Sequence, residues 1–449
     1  MLQVAAHAVA LWMGIITVMN CLVIAQEFGD HSSRTLTTKA GDVRVVGDST
    51  AGFQLLRDGK PFVIRGAGGL TRLDTLAACG GNAIRTWDAE SADQLEDGRS
   101  LLDRADDLGI GVTVGLWLGH ERHGFDYGDA GQLTAQRQKV EEAVTRLKDH
   151  PAVLAWGLGN EMEGSGGPGD SPAIWREVEY LAQLIKRIDP HHPVMPIVAN
   201  VNPAKLAAIC EHAPSIDILG VNAYADAARI ADKLREADWP KPYCITEFGV
   251  PGPWESPQTD WNAPIEPTSR EKAGQTYVAW QRIMEDSGRC LGSFAFLWGA
   301  KQEATSSWFG ILLPTGEKTP RADALARAWT GDWPADRAPV LEEVEIPLAG
   351  SHLAPGAEVE VRAVYRDPEG MHLTYRWEVL EESSDRREGG DAERPPDLVP
   401  GGVRAAGPSG RATVTAPRKP GGYRLFVTVL DDNGSGCTDN WPFHVDTQH

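Results

Sequence analysis

Cysteine is scarce in this chain. There are six in 449 residues (Cys21, Cys79, Cys210, Cys244, Cys290 and Cys437), and no Cys-x-x-Cys pair among them. That spacing gives a metal site no support, and the thiols read as buried or incidental. An exported chain still allows one disulfide among them. Positive charge is short too: 43 Lys and Arg face 63 Asp and Glu, for a formal net charge of -20. This excludes nucleic acid as a partner, because phosphate binding needs basic patches. It suits a soluble protein acting on neutral or cationic material. Internal repeats are absent. What remains is an ordinary globular composition, 42% hydrophobic and 24% charged, with ample core for two or three domains.

The N-terminus has an apolar run at 8–25, with Asn20 as its polar exception. Val23-Ile24-Ala25 sets small residues where a signal peptidase would cut, so 1–25 reads as a signal peptide. No Lys or Arg precedes the run. That missing flank makes a retained membrane anchor the alternative, since the run is borderline for spanning a bilayer. Cys21 follows Val-Met-Asn and lacks the small neighbour of a lipidated cysteine. The expectation is export to a periplasmic or extracellular location. Oligomeric state is not legible.

A polar stretch at 26–39 leads to short strands within 43–65, with Arg57-Asp58-Gly59-Lys60 as a tight turn. A long alternation follows. Apolar strands are expected at 62–65, 82–87, 110–118, 153–158, 194–199, 216–222, 243–246 and 291–297. Helical patterns follow them at 70–78, 92–108, 133–148, 172–188, 203–211, 225–237, 270–286 and 321–330. Eight strand–helix units predict an α/β fold, a (β/α)8 TIM barrel over 41–335 with a short N-terminal β segment. Several strands are unbroken apolar runs, as sheets covered on both faces require. Long loops at 120–132 and 250–269 follow the third and seventh strands, where barrel active sites are built. After a linker at 335–339 the period changes to two, predicting a small all-β immunoglobulin-like sandwich at 340–449. The charged, Pro-rich stretch 383–400 reads as a mobile loop.

Two of the barrel strands end in glutamate: Trp156-Gly157-Leu158-Gly159-Asn160-Glu161 and Tyr243-Cys244-Ile245-Thr246-Glu247-Phe248-Gly249. A carboxylate closing a buried strand is costly unless something uses it. A closed barrel brings both strand ends to one mouth. Two carboxyls about 5–5.5 Å apart are what retaining cleavage of a glycosidic bond requires.

These segments, with Asn82-Ala83-Ile84-Arg85-Thr86, Asn222-Ala223-Tyr224 and Phe296-Leu297-Trp298-Gly299, resemble clan A retaining β-glycosidases. The likeness is to the glycoside hydrolase family 2 barrel and its family 5-like relatives, over about 43–333. The resemblance implies Glu161 as general acid and then base, with a raised pKa, and Glu247 as ionised nucleophile. It implies that Arg85 holds Glu247 through bidentate hydrogen bonds and that Tyr224 donates to the same carboxylate. Asn160 would bind the sugar 2-hydroxyl, and Trp298 would stack under the reacting sugar. Of the 15 tryptophans, Trp87, Trp117, Trp254, Trp261, Trp298 and Trp308 fall near the expected mouth, where indoles bury pyranose faces; Trp254 and Trp308 are carried as substrate-binding residues. His120, Glu121 and His123 are candidates for sugar hydroxyls rather than for a metal, and neither metal nor cofactor is expected. The chain departs from family 2 in having no large β-sandwiches before the barrel, which unsettles β-galactosides and β-glucuronides as substrates and keeps β-glucans open.

The C-terminal module resembles PKD-like or cadherin-like domains at Asp367-Pro368-Glu369-Gly370, Tyr375-Arg376-Trp377 and Asp431-Asp432-Asn433-Gly434. Plain turn chemistry explains its acidic turns better than Ca²⁺. The leading expectation is an exported retaining β-glycosidase acting on carbohydrate. A β-glucan transglycosylase would use the same carboxylates and differ only in products. A silent carbohydrate-binding protein would have no need of two buried glutamates.

Overall fold

The computed structural model describes residues 41–164, 167–387, 390–405 and 410–447. The 1–25 segment and Cys21 lie outside the described residues. Eight parallel strands close into a barrel: β1 (Ile64–Gly69), β2 (Ala83–Arg85), β3 (Gly111–Leu116), β4 (Val153–Leu158), β5 (Val194–Ala199), β6 (Leu219–Asn222), β7 (Tyr243–Phe248) and β8 (Cys290–Trp298). Most of their residues are buried, because helices cover the outside and side chains fill the inside. The main core joins strand to helix: Trp156, Trp175, Ile185, Val221, Ile245 and Trp298 belong to one cluster.

An N-terminal hairpin, Val43–Asp48 against Gly52–Arg57, plugs the opposite end. Val43, Phe53 and Leu55 pack on Ile64, Leu154, Met195, Ile218 and Phe294 inside the barrel. Arg57 donates to the carbonyls of Gly109 and Pro151, on loops that enter β3 and β4. The turn at Asp58 (φ 52°) and Gly59 (φ 74°) has the two positive φ values of a tight hairpin. With the bottom closed, only the C-terminal mouth is left for chemistry.

One expected helix does not form as a unit. The stretch 92–108 breaks at Asp97 and Gly98, both at positive φ. Its helix is only Leu101–Asp107, started by Ser100, which accepts from the Asp103 N–H while Asp103 returns the bond. The third helix begins earlier than expected, at Ala130, capped by Asp129.

The C-terminal strands form two four-stranded sheets around one core that includes Val361, Trp377, Val379, Val414, Leu425 and Phe443. The acidic turns are backbone caps: Asp367 Oδ1 accepts from Glu369 and Met371, and Asp431 Oδ1 from Asn433 and Ser435. The expected linker is not free. Ala338 is fully buried and donates to Asp323. Asp439 accepts from the Ser269 backbone and hydroxyl, Asn440 donates to Glu266, and Arg424 donates to the Pro264 carbonyl. The sheets and the barrel therefore make one compact unit. The five described cysteines are unpaired thiols.

Candidate active site

Glu161 and Glu247 both stand at the barrel mouth. The Glu161 backbone turns sharply: Gly159 (φ 70°) and Glu161 (φ 52°) both lie in the left-handed region. A Cβ at Gly159 would meet the Met162 sulfur at 2.7 Å, so glycine is required there. The strained turn at Glu161 is held by its own N–H on the Ile197 carbonyl. Glu163 pins the same loop by accepting from the Ala199 N–H and the Lys205 ammonium.

Glu247, at the end of β7, is buried and has three donors. Arg85 Nη1 (3.0 Å) and Trp87 Nε1 (3.0 Å) reach its Oε1, and the Tyr224 hydroxyl reaches Oε2 at 2.7 Å. The expected bidentate Arg85 clamp is not what forms. Only Nη1 meets Glu247; Nη2 is occupied by Asn160 Oδ1 at 2.5 Å. Arg85 is fully buried, so it positions Glu247 and Asn160 rather than touching substrate. Burial, then the charge of Glu247, hold the Tyr224 phenol well above its usual range, which keeps it a donor.

Asn222 connects Glu161 to Arg85, which holds Glu247. Its Oδ1 accepts from Thr246 Oγ1 (2.8 Å) and Arg85 Nη1 (3.3 Å), which fixes the amide orientation. Its Nδ2 then donates to Asn160 Oδ1 (3.1 Å) and Glu161 Oε1 (2.8 Å). Asn160 has its carbonyl taken by two donors, leaving Nδ2 as the group able to serve a ligand. Among the described residues Glu161 has one side-chain donor, Asn222, and no ion pair. Burial first and the Glu247 charge second push its pKa up to about 7. One carboxyl is thus surrounded by donors, and the other is poised to carry a proton near neutrality.

The aromatic expectations need correction. Trp298 does not lie under the site. The β8–β1 register shifts between Ala295 and Trp298. Trp298 is 1% exposed in the barrel–helix core, with its indole N–H on the Arg72 carbonyl. Phe296 instead packs edge-on against Trp87 and Tyr224, each 5.9 Å between centroids. Trp308 is fully buried and donates to the Pro251 carbonyl, so it is wall rather than binding face. Trp254 is 60% exposed and abuts Tyr224 at 5.9 Å, on the rim as expected. Trp261 instead packs on His352 and His444 of the C-terminal sheets.

His120 is 2% exposed, its ring stacked between Trp117 and His123. Burial pushes its pKa down to about 4, so it is a neutral support of the rim and offers no open face. His123 pairs with Asp391 of the C-terminal module instead of facing the cleft. A group of potential metal ligands, His352, His444 and Asp446, converges within 4.8 Å on the C-terminal sheets, outside the glutamate network. Two residues carry unforeseen roles, Trp87 as a donor to Glu247 and Asn222 as the bridge. Both stood in the quoted or neighbouring motifs, but nothing local showed where their N–H groups point.

Residues 76–253, less than half of the chain, match the family model described as glycosyl hydrolases family 2, TIM barrel domain. A probable mannan endo-1,4-beta-mannosidase A-1 of Aspergillus terreus is 27% identical over 154 residues, covering 32% of this chain and 34% of that protein. A probable mannan endo-1,4-beta-mannosidase C of the same organism is 32% identical over 87 residues, covering 17% and 21%. The chain thus spans less than half the length of the curated relatives it matches. A Bacteroides uniformis beta-glucuronidase 2 structure overlaps 90% of this chain and 48% of its own, at 14% identity and a TM-score of 0.49.

Proposed function

We propose that this chain is a retaining β-glycoside hydrolase that works by double displacement at Glu247 and Glu161. The observation that carries it is the contrast at the mouth: Glu247 accepts three hydrogen bonds, one from a guanidinium, while burial and the Glu247 charge push the Glu161 pKa up to about 7. The family 2 barrel match supports the same reading. Protonated Glu161 gives its proton to the leaving oxygen as the glycosidic C–O bond breaks. A Glu247 oxygen bonds the anomeric carbon and forms an ester. That ester is neutral, so the part of the Glu161 pKa rise that comes from the Glu247 charge is gone, while burial remains. Glu161 then takes a proton from water, whose oxygen displaces Glu247 and frees the sugar.

The substrate class is β-linked oligo- or polysaccharide. The names of the relatives put β-1,4-mannans first on a test panel, with β-glucans next. Glu247→Ala should abolish turnover, and azide should restore cleavage of an activated aryl β-glycoside with inverted anomeric configuration. Undiminished turnover by that variant refutes the assignment. The proposal includes export through the 8–25 apolar run. Mass spectrometry finding the mature chain to start after Ala25 supports cleavage; an intact start in the membrane fraction supports an anchor.

A further inference from the structure

Part of the stretch expected to be a mobile loop, residues 390–393, is tied across the barrel mouth. Asp391 accepts from Arg122 Nη2 at 3.2 Å and lies 3.0 Å from His123 Nε2, both in the loop after β3. One residue earlier, the Gly390 carbonyl accepts from Lys301 Nζ at 2.6 Å, in the loop after β8. Glu393 Oε2 accepts from the Ala304 N–H at 2.7 Å, in that same loop. Four residues reach at most about 14 Å. Residues 390–393 therefore bridge the β3 and β8 loops over the arc that holds β1 and β2.

This strap is close to the chemistry. Lys301 Nζ sits 5.9 Å from the Phe296 ring, which packs on the two aromatic donors to Glu247. Ala304 is buried in the same cluster as Phe296. Between the strap and the site stands Glu303, whose pKa burial raises against the opposing pull of Lys301, with the charges of Glu247 and Glu393 adding to the rise. On the other side, Asp391 acts on His123, whose ring stacks on His120. Among the described residues, the loops after β4, β5 and β6 have no such tie to the C-terminal sheets.

The direction of the substrate follows from the acid. Glu161 must reach the leaving oxygen, so the leaving group departs on the β4 side, over the open arc. The sugar that is attacked, and whatever precedes it, lies toward β1 and β2. We infer that residues 390–393 close the non-reducing side of the cleft, so that the enzyme removes short fixed-length units from chain ends. The inference rests on the glycosidase reading. It opposes the internal cleavage for which the mannosidase relatives are named, so the two are separable by experiment.

The probes are hexasaccharides of β-1,4-mannose and β-1,4-glucose labelled at the reducing end, given to the full chain, with aryl β-glycosides as the control for turnover. The wild type should shorten the label stepwise from the far end from the first time point. Asp391→Ala with Glu393→Ala should raise the share of internal cuts about tenfold while aryl glycosides still turn over. These ties are partly exposed and little of the stability rests on them. Asp391→Asn with Glu393→Gln keeps the shape and should give a smaller rise. A ladder of internal fragments from an active wild type overturns the strap alone, as does an unchanged pattern in both variants. Absence of turnover on every probe takes down the strap and the glycosidase reading together.

Discussion

The ends of β4 and β7 look alike as sequence and differ as environments. Each is an apolar strand closed by a glutamate. At β7 the carboxylate meets a guanidinium, an indole N–H and a phenol. At β4 it meets one amide, and the neighbouring negative charge opposes its ionisation. What separates an acid from a nucleophile is therefore the donors that the other strands bring, here from β2 and β6, and not the strand that bears the glutamate. The motif marks where a carboxyl will stand; the barrel decides what it does.

The sharpest way to break this contrast is Glu161→Gln. General acid assistance is worth about 10²- to 10⁴-fold. Turnover of glycosides with alkyl leaving groups should fall by that much, while substrates with acidic phenols are largely spared. In the wild type, activity should decline as pH rises through about 7, when Glu161 loses its proton. Stability should show the same group with a defined sign. Its folded pKa, about 7, lies above the ordinary 4.5, so its stabilising protonation is complete below about 4.5 and is lost as pH rises through 7. Glu161→Gln should therefore melt higher than wild type at pH 8, by about 1–3 kcal/mol, and match it at pH 4. A Gln variant equally labile at pH 8 would show that Glu161 is not held protonated.

Arg85→Met attacks the other side of the comparison. Removing one partner of a buried ion pair costs about 3–5 kcal/mol. It also frees Asn160 and loosens Asn222. We expect a clear fall in melting temperature and at least a 100-fold loss of kcat, to roughly that order. Tyr224→Phe removes one donor and leaves the charge pair, so it should cost about tenfold in kcat, in line with one hydrogen bond to a charged group. If Tyr224→Phe proved as severe as Arg85→Met, the phenol and not the cation would be what holds Glu247.

Much of this was legible before any coordinates. The strands β3, β4, β5 and β7 are apolar runs that only a covered parallel sheet explains, and the closed barrel makes their order and their mouth unavoidable. Glu161 and Glu247 follow from position at strand ends, and Tyr224 from the family resemblance. Other features depend on facts no local pattern holds. The direction of the Trp87 indole N–H depends on where β7 places Glu247, 160 residues away. The tie from Arg122 to Asp391 spans 269 residues. A charged, Pro-rich stretch looks unstructured by composition because its partners belong to another domain. The 92–108 break was visible in Asp97-Gly98, whose turn chemistry outweighs the helical period around it.

The smallest expected effect tests Trp298, one of the residues whose expected place was wrong. The family resemblance implied Trp298 as the platform for the sugar. The register shift along β8 instead sends Trp298 into the core and leaves Phe296 beneath Trp87 and Tyr224. Trp298→Phe should then act as a core truncation, costing about 1–3 kcal/mol of stability, with KM within about twofold of wild type because no ligand contact is lost. Phe296→Ala should do the reverse in activity, raising KM and lowering kcat as the two donors above it lose their support. Steady-state kinetics on an aryl β-glycoside, read beside thermal melts, separates them. A Trp298→Phe variant whose KM rises more than that of Phe296→Ala would return the indole to the sugar and undo the correction.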